Sequence, residues 1–181
     1  MKIGKDILWL VIWCVGVAAL GIWDLLFLNR PALLRVVEGF VNTTVVALLV
    51  CVFTLVLGWA GALLLTFTEA GARRVWYIVA TFVFNLIRSV PQVVGILFGY
   101  VALTFMVQEG LLRSTPVTLV LMAAIVSCFV FLELVDLMRE RIDHFKKRDF
   151  YSAMLVCGVP RGRIINFNIL WKNSRGHVFN K

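Results

Sequence analysis

Four long apolar runs dominate the sequence, and they constrain its fold more than any other feature. They occupy roughly residues 7–28, 41–67, 91–107 and 116–138. A helix needs about 20 apolar residues to cross a hydrocarbon core about 30 Å thick, and it satisfies its backbone hydrogen bonds internally. The composition agrees, because 61% of the residues are apolar and only 15% are charged. We therefore predict an all-α membrane protein with about four transmembrane helices.

A fifth apolar stretch, residues 75–90, is predicted to lie along the membrane interface as a helix that ends before Pro91. A single helix over 75–107 would be about 50 Å long at 1.5 Å per residue, which is too long for one crossing. A break before Pro91 relieves this, because the residue before a proline disfavours the α conformation. Trp76 and Tyr77 are also typical of the interface.

The Lys and Arg residues are distributed unevenly between the two sides of the predicted membrane. With 75–90 at the interface, one side carries 15 of the 18 and the other carries only Arg30, Arg35 and Arg113. The larger set is Lys2, Lys5, Arg73, Arg74, Arg88, Arg139, Arg141, Lys146, Lys147, Arg148, Arg161, Arg163, Lys172, Arg175 and Lys181. Cytoplasmic loops are enriched in Lys and Arg, so the N terminus and residues 139–181 are predicted to be cytoplasmic. The net charge of +8 then indicates orientation and some attraction to anionic membrane lipid, not nucleic-acid binding.

This orientation divides the chain into two predicted regions. Residues 1–40 hold an N-terminal transmembrane helix and a periplasmic linker, and residues 41–181 hold the transmembrane core. Trp9, Trp13 and Trp23 are bulky for a cleaved leader, so the first run is expected to remain as a helix.

Residue types that carry metal or catalytic chemistry are isolated in the sequence. Cys14, Cys51, Cys128 and Cys157 form no CxxC pair or other metal-binding spacing. No Ser/His/Asp or Cys/His arrangement suggests catalysis, and no G-x-x-x-x-G-K-[ST] phosphate-binding loop is present. We expect no catalytic residue, no metal and no cofactor.

Residues 149–173, DFYSAMLVCGVPRGRIINFNILWKN, are predicted to form two short helices outside the membrane. Gly158 is suited to the left-handed conformation that ends a helix, and Pro160 fits the first turn of the next one. The second helix has apolar residues at helical spacing, namely Ile164, Ile165 and Ile169. We expect that this unit cannot bury its apolar face by itself and needs a groove on a partner. The residues alone leave one alternative open, an amphipathic helix on the membrane surface.

The run D-F-x-x-A-x-x-x-x-G-x-x-x-x-R-I-I-x-x-x-I-L within 149–170 resembles the cytoplasmic EAA loop of ABC importer permeases. It is most similar to the dipeptide/oligopeptide/nickel branch. Ala153, Gly158 and Leu170 match the general loop pattern, whereas Ser152 replaces its glutamate and Trp171 replaces its proline. The order of upstream features is also similar to the permease core, and it comprises Asn42-Thr43, Gly58 and Gly61, Arg73 and Arg74, and Arg88-Ser89-Val90-Pro91.

This resemblance implies a permease subunit of a bacterial inner-membrane ABC importer, of the peptide type, that is not itself an enzyme. ATP hydrolysis would occur on separate ABC ATPase subunits. The other implied partners are a second permease subunit and a periplasmic or lipid-anchored solute-binding protein. The residues implied to couple to the ATPase are Asp149, Ala153, Gly158, Arg163, Ile169 and Leu170.

Family permeases carry about two further spans after the loop, whereas this sequence reaches Lys181 without another apolar run. The resemblance therefore implies a C-terminally truncated, split or fragmentary permease. The alternative function is a small membrane adaptor, or a permease remnant that does not transport but still docks a cytoplasmic partner.

A few polar residues within the apolar regions are candidates for a solute pathway. The candidate lining residues are Arg88, Pro91, Gln92, Tyr100 and Thr104. Glu133 and Asp136 lie three residues apart near the end of the last run, and carboxylates within a membrane are often functional. Because Arg139 and Arg141 follow them closely, we expect ion pairing with these arginines. Gly58 and Gly61 either permit close helix approach or reflect the tolerance of membrane helices for glycine.

Overall fold

The computed structural model describes residues 5–69 and 73–173, and these residues form helices without any strand. The prediction of an all-α chain is confirmed. The helices are α1 (Lys5–Phe27), α2 (Arg30–Thr68), α3 (Arg74–Ser89), α4 (Gln92–Gln108), α5 (Thr115–Lys146), α6 (Asp149–Val156), α7 (Arg161–Arg163) and a π-helix over Ile164–Asn173 that we call the π-segment. Three of them, α1, α2 and α5, are long and apolar enough to cross a membrane, and a fourth crossing is possible if α3 and α4 are one broken span.

The chain divides into two compact units near Val45, and the first unit contains α1 and the start of α2. Apart from Asp24, the side chains described for α1 are apolar and almost all exposed, as expected for a helix that contacts lipid. The predicted linker before residue 41 is wrong in one respect, because α2 already begins at Arg30. Pro31 occupies the first turn of α2, where its missing N–H costs no hydrogen bond.

The predicted break before Pro91 is confirmed. Helix α3 ends at Ser89, and α4 begins at Gln92 with its axis turned by 85°. Val90 is extended, with φ −90° and ψ 122°, which is the conformation that a following proline favours. We call this Val90–Pro91 junction the elbow. It separates a strongly amphipathic α3 from an α4 that is apolar on all sides, while the interfacial position of α3 remains a prediction.

Four glycines allow α2 and α4 to approach α5 closely. A Cβ atom added at Gly58 would lie 2.7 Å from Leu134, and one at Gly61 would lie 2.9 Å from Val135. Gly95 and Gly99 on α4 are tighter still, with added Cβ atoms 2.3 Å from a ring atom of Phe129 and 2.4 Å from Ile125. Of the two interpretations of Gly58 and Gly61, the structure favours close helix approach.

The buried core lies around the second half of α5. It contains Ala62, Leu65, Ala80, Phe131, Leu132, Val135, Met138, Ile142, Ile164, Ile165, Ile169 and Leu170. These residues come from α2, α3, α5 and the π-segment. The core therefore joins the apolar helices to the 149–173 element.

Candidate functional site

The turn after α6 is a Schellman motif centred on Gly158. The Gly158 N–H donates to the Leu155 carbonyl oxygen at 3.0 Å, and the Val159 N–H donates to the Met154 carbonyl oxygen at 3.1 Å. Gly158 has φ +77°, in the left-handed region that side chains disfavour. The predicted left-handed glycine is confirmed, and the sharp bend at residues 157–160 follows from it.

The second arm of the element begins one residue later than predicted. Pro160 is the N-cap residue of α7, with φ −63° and ψ 139°, and is not within its first turn. Its carbonyl oxygen accepts hydrogen bonds from the N–H groups of Arg163 at 2.9 Å and Ile164 at 3.1 Å. The fixed φ of proline therefore starts this arm from just outside the helix.

The apolar side of the π-segment is already buried within this chain. Ile164, Ile165, Ile169 and Leu170 are 0–2% exposed. They belong to the same core as the α5 residues Val135, Met138 and Ile142. The expectation that the unit cannot bury its apolar face alone is therefore wrong, because α5 supplies the groove. Ile169 and Leu170 are buried in this core and anchor the element there, and this apolar side is not available to a membrane surface.

One polar contact and one aromatic contact connect the π-segment to α2. The indole N–H of Trp59 donates to the side-chain oxygen of Asn166 at 2.6 Å. The rings of Trp59 and Trp171 are tilted with their centroids 6.4 Å apart. Trp171, which stands where the family pattern has proline, thus helps to hold the π-segment beside α2.

The outer surface of the element carries the other predicted coupling residues. Asp149, Ala153, Gly158 and Arg163 are all exposed. Val156, at the end of α6, was not among the predicted residues, and it is 89% exposed. Helical periodicity does not single out Val156, because its exposure results from the turn that follows α6.

A polar cluster holds the elbow against α5. Arg88 Nη2 lies 2.6 Å from Asp136 Oδ1, and Gln92 Nε2 donates to Glu133 Oε1 at 3.0 Å. One side chain from each side of the elbow therefore contacts one face of α5. Together with Pro91 and neighbouring apolar residues they line a cavity of about 260 Å³.

This cluster corrects the expected pairing of the α5 carboxylates. Asp136 pairs with Arg88 and not with Arg139 or Arg141. Arg139 instead lies 3.8 Å from Glu69, and its guanidinium is 5.9 Å from the centre of the Tyr77 ring. The reason is geometric. Arg139 and Arg141 are close to Asp136 along the helix, but the elbow brings Arg88 to the face of α5 that carries Asp136.

The predicted pathway residues separate into two groups. Arg88, Pro91 and Gln92 come together at the elbow, whereas Tyr100 and Thr104 lie further along α4. The Thr104 hydroxyl donates to the Tyr100 carbonyl oxygen at 2.9 Å, and the Tyr100 side chain is exposed. A second, mostly apolar cavity of about 410 Å³ lies between α2 and α5, and Glu133 lines both cavities.

Across residues 5–69 and 73–173, no group of three or more His, Cys, Asp or Glu side chains is placed to hold a metal ion. Lys2, Arg175, His177 and Lys181 lie outside the described residues. Comparisons with protein-family models, curated proteins and solved structures find no match for this chain.

Proposed function

We propose that this chain is a transmembrane permease subunit of an ATP-driven ABC importer, of the peptide type, in a bacterial inner membrane. The N terminus and the 149–173 element face the cytoplasm, where ABC ATPase subunits bind the element. ATP hydrolysis takes place on those subunits. A second permease subunit completes the pathway, and a solute-binding protein delivers the solute from the other side.

The observation that carries this proposal is the rigid attachment of the 149–173 element to α5. Four fully or nearly fully buried side chains fix the π-segment to the core, and the Schellman turn fixes α6 relative to the π-segment. A force applied to the exposed end of α6 is therefore transmitted to α5 and not absorbed by a flexible loop. A rigid external lever on a packed helix is what a transporter needs when its energy source is a separate subunit.

The polar elbow supports the same function from the N-terminal end of α4. Discontinuous helices form solute and ion sites in many transporters. Side chains of α5 line the cavity at the elbow, and α5 is also the helix that the π-segment contacts. Movement of the element is thus coupled to the elbow through one helix.

The test is solute uptake into vesicles that contain this chain together with ABC ATPase subunits, a second permease subunit and a solute-binding protein from the same organism. We expect ATP-dependent accumulation of short peptides, and we expect its loss in the Gly158→Val variant. Gly162→Ala is the matched control, because the nearest side-chain atom to its added Cβ, on Phe67, is 4.0 Å away and the residue lies outside the turn. Binding of the ATPase without any uptake would instead support the adaptor function.

A further inference from the structure

We propose that Val156 is the anchor of the ATPase interface and that the partner receives it in an apolar pocket with an acidic rim. This inference rests on the proposed function, and it adds the anchor residue and the chemistry of the partner surface. We call Val156, Cys157 and Gly158 the apex of the 149–173 element.

The first observation is the exposure of Val156. At 89% it is the most exposed large hydrophobic side chain of the described residues. The backbone of Val156 is also held in place, because the N–H groups of Gly158 and Val159, which follow it, donate to the carbonyl oxygens of Leu155 and Met154, which precede it. A preordered apolar side chain on a rigid support loses little conformational freedom on binding, which favours its use in an interface.

The second observation is the charge around the apex. Between residues 147 and 163 the exposed charged residues are Lys147, Arg148, Asp149, Arg161 and Arg163. In the described part of the chain, neither Arg161 nor Arg163 has a carboxylate within 4.0 Å.

Cations further from the apex behave differently. Lys146 lies 3.9 Å from Glu69 and 3.7 Å from Asp143, and Arg139 lies 3.8 Å from Glu69. Glu69 and Asp143 therefore pair with cations on α5, while Arg161 and Arg163 have no such partner in the described part of the chain. Arginine binds carboxylates through paired hydrogen bonds, so a complementary partner presents Asp or Glu around the pocket.

A lipid surface fits these observations less well than a protein does. A helix that lies on a membrane needs a broad apolar face, but Tyr151, Met154 and Leu155 of α6 pack against the core of this chain. On the exposed side of α6, Val156 is the most exposed apolar side chain, and Phe150, at the other end of the helix, is 38% exposed. This arrangement matches a small pocket with a charged rim.

Photocrosslinking in the intact complex tests the anchor directly. Benzoylphenylalanine is placed at position 156 of the full chain in cells, and at position 167 as the matched control. Phe167 is exposed as well, but it lies on the π-segment away from the apex. We expect an adduct from position 156 alone, on an ATPase peptide that has Asp or Glu residues next to apolar ones. An adduct with lipid, or equal adducts from both positions, would overturn the inference.

Binding of the purified ATPase subunit to the detergent-solubilised chain tests the rim. Arg161→Glu with Arg163→Glu is expected to weaken binding by about tenfold or more at low salt, and to abolish the weakening that added salt causes in wild type. Arg161→Lys with Arg163→Lys keeps both charges and should retain most of the salt dependence. Val156→Ser should weaken binding at all salt concentrations, with the helical content of the chain unchanged.

The outcomes separate this inference from the function on which it rests. If wild type binds the ATPase and all these variants bind equally well, the anchor and rim are wrong while the permease function stands. If wild type does not bind the ATPase at all, both fail.

Discussion

Substitution of Gly158 is the most direct test of the 149–173 element, because the free-energy cost of a side chain there comes from the backbone conformation alone. A Cβ atom added there meets nothing within 4 Å, so space is not limiting. The residue has φ +77°, however, and the left-handed region costs an ordinary residue roughly 1–2 kcal/mol. Gly158→Val should pay this cost or more, Gly158→Ala about 1 kcal/mol, and Gly158→Asn less, since asparagine tolerates this region.

The substitution should destabilise the turn and not the π-segment. The second arm is held by four buried side chains, whereas α6 has no fully buried residue. When the turn is strained, α6 is therefore the part that moves. The two hydrogen bonds from the Gly158 and Val159 N–H groups should open about 5–30 times more often for a cost of 1–2 kcal/mol.

Amide hydrogen exchange of the detergent-solubilised protein measures this opening, and co-purification measures ATPase retention. Gly158→Val should lose protection at residues 158 and 159 and lose the ATPase, while remaining inserted in the membrane. Gly162→Ala is the control, because the nearest side-chain atom to its added Cβ is 4.0 Å away, on Phe67, and the residue is helical. If Gly158→Val exchanges like Gly158→Asn and keeps the ATPase, the turn does not orient the docking surface.

Three further predictions follow from the elbow, the helix packing and the topology. Reversing Arg88 to Asp or Asp136 to Arg alone should lower the free energy of unfolding by up to about 1 kcal/mol, and the double reversal should restore most of it in thermal unfolding; equal losses in all three variants would contradict the 2.6 Å pair. Gly95→Leu should cost about 1–3 kcal/mol, since even a Cβ would lie 2.3 Å from an α5 ring; unchanged unfolding would refute the close approach. A cysteine at position 112 should react with an impermeant maleimide in intact spheroplasts of a cysteine-free variant, and one at position 146 should not; labelling at 146 would overturn the cytoplasmic assignment.

The elements that the sequence predicted best are those governed by local backbone chemistry. The break before Pro91 follows from the conformation that a proline imposes on its neighbour, and the left-handed Gly158 follows from the lack of a Cβ atom. Both are confirmed by the backbone angles. The run of helix from Arg30 was missed, because a segment of lower hydropathy was interpreted as a linker although nothing in it breaks a helix.

Contacts between distant parts of the chain were predicted less well. The sequence placed Glu133 and Asp136 near arginines of their own helix, but the elbow brings Arg88 and Gln92 to them from 48 and 41 residues away in the chain. The close contacts of Gly95 and Gly99 could not be predicted, because the sequence of an apolar run does not show whether a glycine faces lipid or another helix. Periodicity reveals which residues share a face and does not reveal what covers that face.

The π-segment shows the consequence for function. Ile164, Ile165 and Ile169 were correctly placed on one apolar side, and from this the sequence suggested a surface that a partner must cover. The structure covers that side with α5, so the apolar residues serve attachment, whereas recognition is the role that we propose for the exposed Val156 and the nearby arginines. A lever needs both parts, a buried end that moves the membrane helices and a free end that a partner can hold. In this chain the two parts lie on opposite sides of one glycine turn, so a change at either end should be separable in experiment from a change at the other.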